Sequence, residues 1–193
     1  MQSADRLRLE VAHTVVYVQD ADKMIAFYRD VLGFEVADRG PLGKNEIVFL
    51  SQIANHHHQV AFITGRPDTD KSNSVNHTAY RSAGTLDDLR GLLTVLEEHP
   101  EVSDIMPLTH GNAWSIYFSD PEHNGVEVFI DTPWHVQQPQ GKPLDLTRPS
   151  DEIVATTAAA FADEPEFGDL TDFYERRASH FADRTTPQPS SDQ

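Results

Sequence analysis

Two periods of apolar and polar positions alternate along the chain, and each change of period marks an element. Val11–Val18 is apolar, β-branched and of strand length, interrupted by His13. Met24, Ile25, Phe27, Tyr28, Val31 and Leu32 then recur at helical spacing, with Asp20 or Asp22 placed to cap the helix and Gly33 to stop it. Phe34–Asp38, Glu46–Ser51 and Gln59–Thr64 read as three short strands. Gly40, Pro41 and Gly43 supply the first turn between them, and Asn55-His56-His57-His58 the second. The predicted order is β-α-β-β-β.

A polar linker, Gly65 to Ser74, precedes what reads as the same order again. Val75–Arg81 is a short strand containing His77, and Leu86–Glu98 is an amphipathic helix with Thr85 as N-cap and Leu89, Leu92, Leu93 and Leu96 on its apolar face. Ser103–Leu108, Trp114–Ser119 and Val126–Ile130 are the strands that follow. His13 and His77 hold the same place in the first strand of each unit, and each is followed by Thr. A half-length unit of this kind leaves one sheet face exposed, so pairing two buries it. The fold class is therefore α+β: paired βαβββ modules, residues 9–65 and 74–131, forming a cupped mixed sheet within a domain at 1–132. Residues 133–183 form a C-terminal extension that is partly helical. It begins with a Pro/Gln/Gly-rich connector (Gln137 to Pro143), and Pro149–Phe161 and Asp169–Phe181 are helices that pack on the body or on a partner subunit. The polar, Pro/Ser-rich residues 184–193 read as a disordered tail.

Composition narrows the chemistry. Among 193 residues, 15 Lys and Arg against 31 Asp and Glu give a formal charge of −16, which repels phosphate and argues against nucleic acid. There is no apolar run of membrane-spanning length and no signal peptide at the N-terminus, so the protein reads as soluble and cytoplasmic. Cysteine is absent, which excludes disulfides, Cys-based zinc sites, iron–sulfur clusters and thiol nucleophiles. Any metal must be held by nitrogen and oxygen, and ten His with many carboxylates supply both.

His13, His77 and Glu127 each sit inside an apolar strand, where an ionisable side chain is unfavourable unless something satisfies it. Glu127, within Val126-Glu127-Val128-Phe129-Ile130, is the sharpest case. Taken singly, the two imidazoles also read as satisfied core residues and Glu127 as a solvent-facing one. Taken together at matched positions of a repeat, two His and one carboxylate make a facial set that leaves open positions on a divalent metal. That set suits Fe(II) and also Mn(II), and zinc accepts the same ligands. Further groups lie on the adjoining elements. His58 immediately precedes a strand, and His110-Gly111-Asn112 precedes the strand that carries Tyr117. An imidazole near a metal-bound oxygen can take or give a proton near pH 7, and a phenol can donate to an oxyanion.

These residues resemble the vicinal oxygen chelate superfamily of glyoxalases, fosfomycin-resistance proteins and extradiol dioxygenases. The shared features are paired βαβββ units, His on the first strand of each, and Glu on the last strand of the second. The stretch Asp120-Pro121-Glu122-His123-Asn124-Gly125-Val126-Glu127 is similar to the superfamily's Asp-Pro-x-x-Asn-x-x-Glu ending. Within it, His58 before a small apolar run, His110-x-Asn112, and Tyr117 ten residues ahead of Glu127 look like a one-domain extradiol ring-cleaving dioxygenase. His123 and Gly125 depart from the dioxygenase signature, which has Gly or Pro at position 123, and this leaves subfamily and substrate open. The resemblance implies metal ligands His13, His77 and Glu127, and Fe(II), or else Mn(II), as cofactor. It implies His58, His110 and Tyr117 as catalytic groups, Asn112 with His110 and Tyr117 as substrate-binding groups, and a small aromatic diol and O2 as partners. Trp114 and Trp134 are expected near the pocket mouth, and a homodimer or larger oligomer is expected.

The competing enzyme is a glyoxalase-like, metal-dependent lyase or isomerase, which needs neither O2 nor Fe(II). A fosfomycin-type transferase fits less well because no basic phosphonate-binding cluster is present. A drug-sequestering binding protein is disfavoured by the presence of His13, His77 and Glu127.

Overall fold

Asp20 and Gly33 set the ends of the first helix. In the computed structural model, which describes residues 10–68, 70 and 74–183 (180–183 by backbone alone), Asp20 accepts the Lys23 N–H at 3.0 Å and opens α1 (Ala21–Asp30). Gly33, at φ +74, turns the chain out of it. The first module is completed by β1 (Thr14–Val18), β2 (Glu35–Leu42), β3 (Asn45–Ser51) and β4 (Val60–Thr64). The second repeats the order with β5 (Thr78–Arg81), α2 (Leu86–Glu98), β6 (Ser103–Thr109), β7 (Ala113–Ser119) and β8 (Gly125–Asp131). Thr85 opens α2 by donating its N–H to Asp88 at 2.7 Å, and this bond holds the Asp88 carboxyl below its ordinary pKa.

Boundaries that bear on the site differ from the sequence reading. β2 continues through Gly40 and Pro41, so the first turn is confined to Gly43 and Lys44. Proline is tolerated there because β2 lies at a sheet edge and its missing N–H interrupts no inner ladder. β1 and β5 begin at Thr14 and Thr78, so His13 and His77 stand one residue ahead of their strands.

The strands form two hydrogen-bonded mixed sheets rather than one. Their orders, β1-β4-β3-β2 and β5-β8-β7-β6, are the same, and in each the first strand pairs in parallel with the fourth. The internal repeat is thus a property of the topology. Each sheet ends on its own first strand, and Thr14–Tyr17 of β1 and Thr78 of β5 line one cleft, which brings the two strand starts together.

One core serves both modules. Met24, Phe27 and Tyr28 of α1 and Leu86, Leu89 and Leu96 of α2 bury Val48, Leu50, Val60 and Phe62 of the first sheet with Ile116, Phe118, Val126 and Ile130 of the second. Helix α1 reaches across the seam: the Phe27 ring meets Phe118 of β7 at 6.2 Å, while Tyr28 meets Phe62 of β4 at 4.9 Å. A polar tie joins the modules beside it. Glu122, fully buried, accepts the Gln19 N–H at 2.9 Å and the Asp20 N–H at 2.8 Å, and the Arg66 guanidinium lies 3.9 Å from its carboxylate. The loop that presents Glu122 is folded by Asp120, which accepts the N–H groups of Glu122 and Asn124. Burial holds the Asp120 carboxyl above its ordinary pKa in spite of those bonds.

The C-terminal extension packs on this body. It adds β9 (Trp134–His135), β10 (Lys142–Pro143), α3 (Ser150–Phe161), β11 (Gly168–Asp169) and α4 (Leu170–Asp183), with β10 extending the second sheet beyond β6. Leu144, Leu146 and Ile153 enter the shared core. Trp114 and Trp134, expected at a pocket mouth, lie in this seam instead. Trp114 faces the helices beside Ile116, donates to Thr157 Oγ1 at 2.9 Å and meets the Trp134 ring edge-on at 6.4 Å. Residues 184–193, read as a disordered tail, lie outside the described residues, as do residues 1–9. Among the described residues no helix is long and apolar enough to cross a membrane.

The Glu122 tie makes a direct prediction. In Glu122→Gln an amide NH2 replaces an acceptor oxygen facing Arg66 and the backbone donors. The substitution is expected to lower unfolding free energy by about 3 kcal/mol. Urea denaturation of the two proteins measures the difference, and a loss under about 1 kcal/mol would show that the tie is dispensable.

Candidate metal and catalytic site

Cross-strand partners share a sheet face, so register places the candidate residues. In the second sheet Met106 pairs with Tyr117, Tyr117 with Glu127, and Glu127 with Ala79, which makes one row across the face opposite the helices. The buried Glu127 carboxylate sits midway along it, 3.1 Å from His77 Nε2 and 4.0 Å from His110 Nε2. His110 Nε2 in turn lies 2.9 Å from the Tyr117 hydroxyl. Burial first, and the Glu127 carboxylate second, push the Tyr117 phenol well above its ordinary pKa, so it stays protonated at neutral pH. His77, Glu127, His110 and Tyr117 therefore form one contiguous polar cluster.

The far side of His77 bears on what the cluster can hold. Its Nδ1 faces Asn76 Oδ1 at 2.7 Å. An amide oxygen only accepts, so Nδ1 carries the proton, and in the neutral ring Nε2 turns a lone pair toward the Glu127 carboxylate. Two acceptors 3.1 Å apart need a shared cation, either a proton or a metal ion. The donor set, imidazole nitrogen with carboxylate oxygen, fits a divalent metal of the Fe, Mn or Zn type.

The first module presents the matching row with different chemistry. Superposing the Thr14–Val60 pair on the Thr78–Val126 pair sets Ala61 in the place of Glu127 and Phe49 in that of Tyr117. Within the sheet faces the ligating chemistry is thereby one-sided, because Ala61 offers no ligand at the position that matches Glu127. His58 lies at this half, with its ring 4.2 Å from His13 and 4.8 Å from Phe49. Burial lowers the His58 pKa, with His13 and His57 contributing less, which favours a neutral imidazole near pH 7. His57 connects His58 to Asp38: its Nδ1 faces His58 Nδ1 at 2.9 Å and its Nε2 faces Asp38 Oδ2 at 2.8 Å. His13 is exposed and leans on His58, not on Glu127. Among the described residues no three His, Asp or Glu side chains gather closely enough to hold a metal ion. His77 and Glu127 are already together, and His13 stands one residue ahead of the neighbouring strand start.

Asn112 lies on the His110 loop, and its Oδ1 accepts from Gln138 at 3.2 Å. Sequence reasoning missed Asn76, Asp38 and Gln138. Asn76 directly precedes a candidate ligand, and that adjacency was a usable signal; the other two are brought in by tertiary contacts alone. Gly125 also has a steric role, because a Cβ there would lie 2.1 Å from the Asn76 carbonyl oxygen.

Comparison with known proteins agrees with this architecture. The sequence profile of the Glyoxalase/Bleomycin resistance protein/Dioxygenase superfamily matches residues 10–128. Biphenyl-2,3-diol 1,2-dioxygenase 3 of Rhodococcus globerulus is 31% identical over 125 residues, 63% of each chain, and biphenyl-2,3-diol 1,2-dioxygenase 2 of the same organism is 29% identical over 126 residues, 62% of each. The match therefore spans a little under two thirds of these relatives' length. Among solved structures, a glyoxylase/bleomycin resistance protein/dioxygenase domain from Frankia sp. EAN1pec superposes with a TM-score of 0.57 at 16% identity, covering 67% of this chain and 96% of that one. A mutant of the fosfomycin-resistance protein FosX from Listeria monocytogenes, complexed with Mn(II) and a dihydroxypropylphosphonic acid, superposes with a TM-score of 0.51 at 20% identity, covering 65% and 93%. With more than half of its length matched by the family profile and both modules in the shared topology, the chain belongs to the glyoxalase/bleomycin resistance/dioxygenase superfamily.

Proposed function

We propose that the protein is an extradiol ring-cleaving dioxygenase that acts on a catecholic aromatic diol with Fe(II) and O2, Mn(II) being the alternative metal. The observation that carries this reading is the continuous cluster of His77, Glu127, His110 and Tyr117, with His58 on the facing module. The likeness to two biphenyl-2,3-diol dioxygenases supports it. His13, His77 and Glu127 would hold the metal, His13 by turning from His58, as an exposed side chain can. The bound metal would supply a template for diol and dioxygen together, lowering the entropic barrier to their reaction.

The remaining work falls to the chain's own groups. Tyr117, positioned by His110, accepts a hydrogen bond from a diol hydroxyl. His58, its pKa lowered by partial burial and by the neighbouring imidazoles, takes and returns a proton on the opposite side of the ring being opened. Ala61, where a further ligand would otherwise stand, leaves room for the substrate. Phe49 and Ile63 from one module and Leu108 and Phe129 from the other share these faces and favour an aromatic ring over a polar one.

The experiment is oxygen consumption by anaerobically Fe(II)-loaded protein given catechol and biphenyl-2,3-diol. Uptake with a yellow ring-opened product is expected. Metal-dependent turnover of a hydroxy-ketone or thiol adduct without oxygen uptake would favour the glyoxalase-like lyase or isomerase instead. Replacing any one of His13, His77 or Glu127 by Ala is expected to weaken Fe(II) binding about 10-fold or more, read by elemental analysis after gel filtration. His58→Phe should retain the metal and lose about 10²-fold in kcat, and an unchanged kcat would remove His58 from the reaction.

A further inference from the structure

Several of the contacts that hold His110 in place come from outside the family domain. His110 Nδ1 bonds the backbone carbonyl of Gln140, and β10 pairs Lys142 with Thr109, the residue before His110. The Gln138 side chain closes the loop from behind. Its Nε2 donates to the His110 carbonyl at 2.9 Å and to Asn112 Oδ1 at 3.2 Å, while its Oε1 accepts the Gln140 N–H at 2.9 Å. Beneath them Gly111, at φ +79, has no room for a side chain: a Cβ would lie 2.5 Å from Val136 and 3.1 Å from Phe161, both buried residues of the extension. All these contacts come from residues 136–161, whereas the family profile ends at residue 128.

We propose that this strap, clamped by Gln138, is a working part of the site that fixes the tautomer of His110. A carbonyl oxygen can only accept, so the Gln140 carbonyl requires the proton on Nδ1. In the neutral ring Nε2 is then an acceptor, 2.9 Å from the Tyr117 hydroxyl, which is placed to donate to it, the Glu127 carboxylate being the other acceptor in reach. The Tyr117 oxygen is left with its lone pairs available to a substrate hydroxyl. Were the tautomer reversed, Nε2 would donate to Tyr117 and the phenolic proton would point elsewhere. Gln138 is thus a positioning residue acting through His110 and Gln140, and the C-terminal extension is what makes the His110–Tyr117 pair directional. The consequence for turnover rests on the dioxygenase reading; the tautomer does not.

The test uses the full-length protein labelled with ¹⁵N-histidine, at about pH 8.5, two units above the ordinary imidazole range. Ring ¹⁵N shifts and their couplings to the carbon-bound protons distinguish the two neutral tautomers. Wild-type His110 is expected as a single Nδ1–H species. Gln138→Leu should convert it to a mixture, whereas Gln137→Leu, at the neighbouring and equally exposed position, should not. If the dioxygenase reading holds, Gln138→Leu also loses about 10-fold in kcat, with KM for the diol little changed. An Nε2–H tautomer in the wild type overturns the proposal without recourse to any variant. So does a Gln138→Leu protein that folds normally and keeps the wild-type ring pattern. A wild type that shows the Nδ1–H form and yet consumes no oxygen would count against the dioxygenase reading alone.

Discussion

A buried carboxylate bonded to another module's backbone is an unusual way to fix two half-domains. A fully desolvated charge is tolerated only where donors converge on it, and Glu122 finds its donors at the turn between β1 and α1 of the first module and at Arg66. The attachment is to main-chain N–H groups whose positions are set by β1 and by the capping of α1 at Asp20, so it ties together elements and not merely surfaces. Glu122 lies five residues ahead of Glu127, and Gln19 lies six after His13. The tie that joins the modules therefore lies within a few residues, along the chain, of both halves of the candidate site.

Pseudo-symmetry then explains why the two sheet faces at the candidate site differ in chemistry. The two modules share strand order and register, yet Ala61 and Phe49 stand where Glu127 and Tyr117 stand in the second. The first module contributes imidazoles from strand starts and loops, namely His13, His57 and His58, and leaves its sheet face apolar. The second contributes a carboxylate and a phenol from within the sheet. The sheet face of the second module is thus polar and that of the first apolar, with the imidazoles of the first module at its margin.

Much of this was legible in the chain. The helix and strand periods located nearly every element, and the paired His-Thr steps at 13–14 and 77–78 pointed to the repeat that the sheet topology contains. Periodicity failed where burial is nearly continuous. β7 is buried at almost every position, so nothing in its sequence tells which face Trp114 takes, and the indole went to the extension. The turn at Gly40 and Pro41 was misplaced because an edge strand accepts residues that an inner strand rejects. The role of the segment from Gln137 to Pro143 was invisible for a different reason. Its Gln and Pro residues read as connector by composition, and their partners, His110 and Asn112, lie more than 20 residues away in sequence and meet them only in the folded chain.

The bare Cα of Gly125 has a last consequence. Since the Asn76 carbonyl occupies the space its side chain would need, the strand bearing Glu127 rests against the strand start bearing His77 as a machined part rests on a shim of zero thickness. The approach of the two backbones is set by this contact and not by any side chain that could be exchanged. Sequence drift elsewhere can change what the pocket accepts. It has little purchase on how closely the two backbones that carry the imidazole and the carboxylate approach one another.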